Sequence, residues 1–341
     1  MAFLYALPGA IAEGLIWGLM GIGVYISYKI LDIADLTVDG SICTGACVCA
    51  VLLGSGVPVW VSVLAAFVAG ALAGMVTGLL HTALGIPSIL SGILTQLMLY
   101  SVNLFILGGK SLVAIDPRAN ALWVHMSDNP ASILSMLILV TVVILCLWQF
   151  FYTEIGLTLK STGDNPDMSR AQGVNVNLNK VVGLSIANGI VALAGAMLAQ
   201  YKGSANINDG RGAIVIGLAA IFIGLSVSLK IKPNFVVSLI GVLGGGIIYY
   251  IVYNLVILMG LKTDYLKMLS AIIVTIFLAV PYLKGEYFTK RRSLQPQKTV
   301  KMCIRDRCIR WASRKTRRTS CSCTRRASMS AGRSPALSRA A

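Results

Sequence analysis

Charged side chains are scarce in this sequence. Only 12% of its 341 residues are Asp, Glu, Lys or Arg, whereas 56% are hydrophobic, and the mean hydropathy is +0.79. A soluble domain of this length needs far more charge to cover its surface. Apolar runs long enough for an α-helix to cross the hydrocarbon core recur between residues 8 and 283. The composition therefore excludes a soluble protein and predicts an all-α, polytopic membrane protein.

The residues that build metal sites and catalytic centres are also few. The chain has two His, and Cys321 and Cys323 lack the CxxC spacing typical of a zinc knuckle. The apolar segments hold no paired acids, no Ser/His constellation and no acidic residue at mid-span depth, so we expect neither an enzyme nor an ion-coupled relay. Four Cys in these segments are expected to be small buried hydrophobic side chains: Cys43, Cys47, Cys49 and Cys146.

Residues 1–288 contain a series of apolar segments, which we predict to form a transmembrane helical bundle of about nine spans, within a range of eight to ten. The second segment is short for a ~30 Å core, so we expect it to be tilted, broken or partly re-entrant. Glycines four residues apart, such as Gly70, Gly74 and Gly78, predict close helix packing. The segments are residues 8–28, 41–56, 58–80, 87–108, 131–151, 180–201, 212–229, 234–258 and 265–283.

The positive charge is concentrated at the C-terminus. Residues 1–288 hold 13 Lys and Arg against 12 Asp and Glu, whereas residues 289–341 hold 16 against 1. Met302-Cys-Ile-Arg-Asp-Arg307 resembles a translated adapter from a sequencing library, and no apolar period follows it. We interpret residues 289–341 as a basic tail that is disordered or artefactual. The alternatives are a polybasic lipid-binding tail and a nucleic-acid arm, although we expect no nucleic-acid partner.

A polar stretch, residues 152–180, interrupts the apolar sequence after the fifth segment. Its cationic residues Lys160, Arg170 and Lys180 favour the cytoplasm, since Lys and Arg in short loops are enriched on that side. With nine alternating spans, the N-terminus then lies outside and the C-terminus inside.

This polar stretch contains residues that are typical of the beginnings and ends of two short helices. Gly163 and Asp164 should end the first helix, and Asn165 can cap the second. Pro166 follows at a first helical position, where its missing N–H costs nothing. Gly173 is a suitable stop. We therefore predict a shaped cytoplasmic segment; a simple tether is the alternative.

Polar side chains also occur inside the apolar segments. Gln96 and Asn103 are seven residues apart and share a helix face with Tyr100. A polar group in hydrocarbon is costly unless it finds a partner or faces a cavity. These residues, together with Asn188 in a later span, are a candidate translocation path. Interhelical hydrogen bonding is the alternative interpretation.

The polar stretch resembles the coupling loop of bacterial ABC importer permeases of the branched-chain amino acid and ribose type, in the runs Thr153-Glu-Ile-Gly156, Thr162-Gly-Asp-Asn165 and Ala171-Gln-Gly173. Upstream, Asp35-Leu-Thr-Val-Asp-Gly-Ser41 is similar to the segment that follows the first conserved helix of these permeases.

Other runs are closer to one subgroup, whose partner is a lipoprotein-type binding protein and some of whose members take up aromatic amino acids such as tryptophan or tyrosine. They are His81-Thr82 with Ile86-Pro87, Gly92-Ile-Leu-Thr95, Tyr100-Ser-Val-Asn-Leu104 and Gly217-Leu-Ala-Ala220. The resemblance extends over about residues 10–283. Gly210-Arg-Gly212 departs from it, and we expect Arg211 at the outer face.

The resemblance implies a multi-pass permease in the bacterial cytoplasmic (inner) membrane, with no catalytic, cofactor or metal site of its own. It implies a second permease copy in a homodimer, an ATP-binding cassette ATPase subunit, and an extracytoplasmic lipoprotein that delivers a small solute, expected to be an amino acid. A stand-alone secondary transporter or exporter is the alternative. The residues implied in ATPase coupling are Glu154, Gly156, Gly163, Asp164, Asn165, Arg170, Gln172 and Gly173.

Overall fold

The computed structural model describes residues 2–115, 123–124, 129–228, 235–258 and 275, and within these ranges it is built almost entirely of helices. The predicted all-α class is confirmed. The helices are α1 Ala2–Tyr25, α2 Val38–Gly54, α3 Val59–Thr82, α4 Ser88–Ile106, α5 Asn129–Tyr152, α6 Glu154–Asp164, α7 Pro166–Ala171, α8 Val176–Lys202, α9 Ala213–Ser228 and α10 Phe235–Leu258. A π-helical turn, Ile26–Ile30, continues α1, and two short strands, β1 Leu112–Ala114 and β2 Ser204–Asn206, pair antiparallel.

Six helices of the described chain are long and apolar enough to cross a membrane: α1 with its π-helical turn, α3, α4, α5, α8 and α10. They confirm a polytopic membrane protein. Helices α2 and α9 are apolar but shorter. The predicted count of nine is not confirmed, because the ninth segment, residues 265–283, lies outside the described residues apart from Thr275. The predicted tail, residues 289–341, also lies outside them.

Helix α8 lies at the centre of the bundle, where it packs against α1, α2 and α3. Its contact with α3 depends on glycine: a Cβ at Gly70 would overlap the carbonyl oxygen of Asn188, and one at Gly74 would overlap that of Leu184. Apolar lipid tails offer no hydrophobic drive for helix association, so close van der Waals contact through small residues takes its place. The close packing predicted from the glycine spacing is confirmed here.

Helix α2 meets α8 through a reciprocal pair of glycines. A Cβ at Gly45 of α2 would overlap the carbonyl group of Ala192, and a Cβ at Gly195 of α8 would overlap the carbonyl oxygen of Ile42. The backbones of α2 and α8 are therefore in direct contact over this length. Both helices also pack against α3, so α2, α3 and α8 form one closely packed unit.

Helix α1 joins this unit to α9 and α10. Gly14 of α1 faces the backbone of Ile247, and Gly18 faces that of Leu243. One turn away, the rings of Trp17 and Tyr250 stack with centroids 5.9 Å apart. These contacts hold α10 against α1.

The chain does not pass from the first span into the second through an exposed loop. After the π-helical turn, Asp32 takes a left-handed conformation with φ of 55°, and residues 31–37 return into the bundle without helical structure. Helix α2 then begins beside the middle of α8, where Ser41 Oγ donates a 2.7 Å hydrogen bond to Asn188 Oδ1. The second span is short because its first part is this non-helical segment. Such backbone is tolerated at membrane depth only where protein surrounds it.

A similar return occurs at the other end of the bundle. We call the end that carries β1 and β2 the sheet end, and the end that carries α6 and α7 the loop end. After β2 the chain turns back along α2: Cys43 Sγ donates to the carbonyl of Ile207 and accepts from Gly210 N, both at 3.1 Å. Helix α9 therefore also begins beside the start of α2, inside the bundle.

The outward faces of α3, α4 and α5 carry large hydrophobic side chains that the described part of the chain leaves uncovered. Phe105 on α4 is 86% exposed and Leu134 on α5 is 61% exposed. Lipid suits such faces in a membrane protein. The thiols of Cys43, Cys47 and Cys49 are buried as predicted, but Cys146 on α5 is exposed, because its side of α5 faces outward.

Candidate functional site

The loop segment, residues 153–173, consists of two helices with well-formed caps. Thr153 Oγ1 accepts a hydrogen bond from Gly156 N at the start of α6 (3.4 Å), and Asn165 Oδ1 accepts one from Met168 N at the start of α7 (3.0 Å). Pro166 occupies the first position of α7, and Gly173 leaves the helix with φ of 83°, where glycine has no steric penalty. The cap predicted at Asn165 and the stop predicted at Gly173 are confirmed. The break predicted at Gly163 is wrong, because α6 continues through Gly163 and ends at Asp164.

Helix α6 is braced against the membrane bundle. A Cβ at Gly163 would overlap the carbonyl oxygen of Ile30 in the π-helical turn. Leu159 is 1% exposed, and its Cδ1 lies 3.0 Å from where a Cβ of Gly183 would stand. Asn179 Nδ2 of α8 donates a 3.1 Å hydrogen bond to Thr162 Oγ1. The inner face of α6 therefore touches both the end of the first span and the start of α8.

The opposite surface of the loop segment is open. Met168 is 61% exposed although it is apolar. An exposed apolar side chain among polar neighbours is typical of a docking surface rather than of a lipid contact. Of the predicted coupling residues, Gly156 is buried and Gly163 is half-buried, and the others are exposed: Glu154, Asp164, Asn165, Arg170, Gln172 and Gly173.

A second feature is a cavity of about 300 Å³ towards the sheet end, between α2, α4 and the segment that follows β2. Gln96, Tyr100 and Asn103 line it together, so the structure brings together three of the four residues of the candidate path. The cavity is also lined by Arg211, which had been expected at the outer face. Arg211 is exposed and lies near the sheet end, opposite to the loop segment, and its position at the outer face stays a prediction.

Three polar residues of this cavity, Arg211, Asp39 and Asn103, differ in the partners that their side chains have. The Arg211 guanidinium lies 5.8 Å from the centre of the Tyr100 ring, within the range of a cation–π contact. The Asp39 carboxylate accepts hydrogen bonds from Gly212 N (3.0 Å) and Ile214 N (2.8 Å), and so caps α9. Asn103 is 1% exposed, yet its Oδ1 has no hydrogen-bond partner among the described residues.

Asn188, the fourth residue of the candidate path, lies outside the cavity lining. Its Nδ2 donates to Asp35 Oδ2 at 2.6 Å, and its Oδ1 accepts from Ser41. The other oxygen of Asp35 accepts from Thr37 N at 2.9 Å. Asn188 therefore holds the non-helical segment 31–37 against α8, which agrees with the alternative of interhelical hydrogen bonding.

Sequence reasoning missed Asp35 and Asp39. The prediction that no acidic residue lies at mid-span depth is wrong, because Asp35 is 3% exposed and lies beside the middle of α8. Both residues lie in a short run between two apolar segments, which is typical of an exposed loop. The available signal was the shortness of the second span, which already suggested that this run enters the membrane. No cluster of His, Cys, Asp and Glu with metal-binding geometry occurs in the described ranges.

The sequence matches a family described as branched-chain amino acid transport system / permease component over residues 8–279. It is 37% identical over 268 residues to the tyrosine transport system permease protein of Clostridioides difficile, covering 78% of this chain and 88% of that protein. It is 24% identical over 248 residues to the ribose import permease protein of Escherichia coli, covering 72% and 76% respectively. A third relative, the autoinducer 2 import system permease protein of Yersinia pseudotuberculosis, is 29% identical over 189 residues, covering 54% and 52%. No solved structure matches the chain.

Proposed function

Because the chain belongs to the branched-chain amino acid transport system / permease component family, we propose that it is the membrane-spanning subunit of an ATP-driven importer in the bacterial cytoplasmic membrane. The observation that carries this proposal is the loop segment: two capped helices, braced on the bundle on one side and open on the other. The multi-pass bundle moves the solute, and ATP is hydrolysed on a separate subunit.

The open surface of the loop segment is the contact for that ATPase subunit. Its exposed residues surround Met168 and offer both signs of charge, with Asp164 and Arg170 at opposite ends of α7. A groove on the ATPase can bury the apolar side chain while charges at the rim set the register. Gly163 and Gly173 serve by allowing the close approach and the turn that shape this surface.

Movement of the loop segment reaches the bundle through α6. The contacts of Gly163 with Ile30 and of Leu159 with the region around Gly183 connect α6 to the start of the non-helical segment 31–37. That segment contains Asp35 and leads directly into α2, whose first residues line the cavity. Rigid elements joined through a few non-helical residues are the usual hinges of transport proteins.

The substrate is a small organic solute, and an amino acid is favoured because the relative with 37% identity is a tyrosine transport system permease. The path includes Gln96, Tyr100 and Asn103, with Asn188 supporting it through Asp35. An extracytoplasmic binding protein, of the lipoprotein type, delivers the solute. A second copy of this chain completes the pore, and the exposed apolar faces of α3 and α4 support a partner there.

Capture of the tagged chain from detergent-solubilised membranes tests the proposal directly. An ATPase subunit should co-purify in stoichiometric amount, and L-tyrosine uptake by cells should depend on it. Absence of any ATPase, with uptake intact, would instead indicate a stand-alone secondary transporter.

The variant Asp164→Lys tests the coupling surface. It reverses an exposed charge beside α7, so we expect ATPase capture and uptake to fall about tenfold or more while membrane insertion is unchanged. The matched control is Lys110→Glu, which reverses an exposed charge near the sheet end and should leave both measurements at the parent value. Normal uptake by Asp164→Lys would contradict the coupling role.

A further inference from the structure

We infer that the cavity between α2, α4 and Arg211 is a recognition site for a free α-amino acid, in which Arg211 binds the α-carboxylate and Asn103 Oδ1 accepts from the α-ammonium group. This inference rests on the proposed function, since it assigns the chemistry of the solute to particular groups on its path.

Arg211 is available to bind an anion. Among the described residues the only salt bridge joins Lys202 to Asp209, at 3.5 Å, so no carboxylate in this part of the chain pairs with Arg211. Its guanidinium lies over the Tyr100 ring, and its side chain makes no hydrogen bond to the described residues. A planar guanidinium matches a carboxylate through two parallel hydrogen bonds. Arg211 is an exposed residue, so an anion in the cavity can reach its guanidinium.

Asn103 supplies the complementary acceptor. A buried carbonyl oxygen without a partner destabilises a protein unless something donates to it. The Asn103 residue lines the cavity, and its buried Oδ1 has no partner among the described residues, so a turn of the side-chain amide towards the cavity would give this oxygen a donor from the ligand. An ammonium group has three donors and no acceptor. One donor can bond to Asn103 Oδ1, and Asp39, whose two oxygens each keep a free lone pair beyond their backbone donors, provides a nearby negative charge. The cavity thus presents both signs to a zwitterion.

Size and polarity narrow the class of ligand further. About 300 Å³ is at the lower end of small-molecule sites, which suits a single amino acid. The remaining wall is largely apolar, with Leu97, Cys43 and Ile207. A sugar would leave several hydroxyl groups against these side chains without hydrogen bonds, at a cost in free energy. An apolar or aromatic amino acid side chain fits this wall.

Thiol labelling tests the site in the purified complex without the binding protein. In the variant Leu97→Cys, a water-soluble maleimide modifies the new thiol at the cavity wall, and mass spectrometry of the peptide containing position 97 gives the rate. L-tyrosine should slow this labelling, whereas tyramine, which lacks the carboxylate, and D-ribose should not. Equal protection by tyramine and tyrosine, or none by either, would overturn the inference.

A second set of variants assigns the carboxylate to Arg211. In the Leu97→Cys background, Arg211→Gln should raise the half-protecting tyrosine concentration by about tenfold or more, since it removes a charge-assisted hydrogen bond. Arg211→Lys should fall between Arg211→Gln and the parent. The control, Lys110→Gln, removes an exposed charge near the same end and should match the parent. An unchanged value in Arg211→Gln would contradict the assignment.

The two proposals fail in different ways. If the ATPase co-purifies and uptake proceeds but tyrosine gives no selective protection, the importer assignment stands and the recognition site is wrong. If no ATPase is captured, the importer assignment is wrong, and labelling of the chain purified alone still decides whether the cavity recognises an amino acid.

Discussion

At the scale of single residues, the most consequential group is the Asp35 carboxylate. A carboxylate shielded from water is very costly unless hydrogen bonds replace the lost solvation. Asp35 receives one from Thr37 N and one from Asn188 Nδ2. Because Asn188 lies on α8 and Asp35 on the non-helical segment, this bond fixes where that segment can lie.

The substitution Asp35→Asn should destabilise the fold. Whichever way the new amide points, its NH₂ group faces another donor, either Thr37 N or Asn188 Nδ2, so one hydrogen bond is lost. We expect the free energy of unfolding to fall by about 1–3 kcal/mol, measured by circular dichroism during titration with SDS. The control is Asp32→Asn, an exposed position with positive φ that Asn tolerates; a loss there as large as at Asp35 would contradict this account.

Local chemistry explains which residues could be predicted from the sequence. The cap at Asn165 and the stop at Gly173 depend on a few neighbouring residues, so the sequence pattern suffices. Gln96, Tyr100 and Asn103 could be grouped because they share one helix face. Arg211 and Asp39 could not, since they meet the cavity only after the chain has turned back into the bundle, which no local pattern encodes.

At the scale of helices, the close contacts of α8 with α2 and α3 set the architecture. We call these contacts, which run through Gly45, Gly70, Gly74 and Gly195, the glycine seams. Their glycines remove every side-chain atom between facing backbones, so dispersion contacts are dense and any added atom must displace a helix. The periodic glycines and the apolar lengths predicted this packing and most of the spans. They could not predict where α2 begins, because the contacts that place the segment 31–37, such as the hydrogen bond between Asp35 and Asn188, join residues far apart in the sequence.

The substitution Gly45→Ala should weaken the α2–α8 seam. Its Cβ would lie 2.6 Å from the carbonyl carbon of Ala192, so α2 would have to move away from α8. We expect a loss of about 1–3 kcal/mol or more and a lower midpoint of thermal unfolding in detergent. Gly54→Ala, on the same helix with nothing within 4 Å of the added atom, should stay within about 0.5 kcal/mol of the parent. Equal midpoints for the two variants would exclude a tight seam.

At the scale of the whole molecule, the described part of the chain combines a closely packed unit with two surfaces that it leaves open. Helices α2, α3 and α8 form the unit, the loop segment provides one surface, and the exposed apolar faces of α3, α4 and α5 provide the other. Lipid suits the apolar faces in a membrane protein, whereas the exposed apolar group of the loop segment, Met168 among polar neighbours, is typical of a docking surface. The sequence showed the loop segment, because its polarity contrasts with the spans on either side.

The basic tail should be dispensable for transport. Residues 301–341 carry no apolar period and none of the groups assigned to the path or to coupling. A chain ending at Val300 should insert into the membrane and take up L-tyrosine at the parent rate, measured with radiolabelled substrate in cells. Loss of uptake despite normal insertion would mean that the tail has a function, and binding to vesicles with and without anionic lipid would then test the polybasic alternative.

The position of the cavity outside the glycine seams has an evolutionary consequence. Much of its wall comes from α4, which packs on α2 and α3, whereas the seams that fix the architecture centre on α8. Exchanges at Leu97 or Tyr100 therefore leave those seams intact. A duplicated gene could acquire a new substrate through a few codon changes on one helix. Paralogues with different substrates should differ first at the cavity-lining positions of α4.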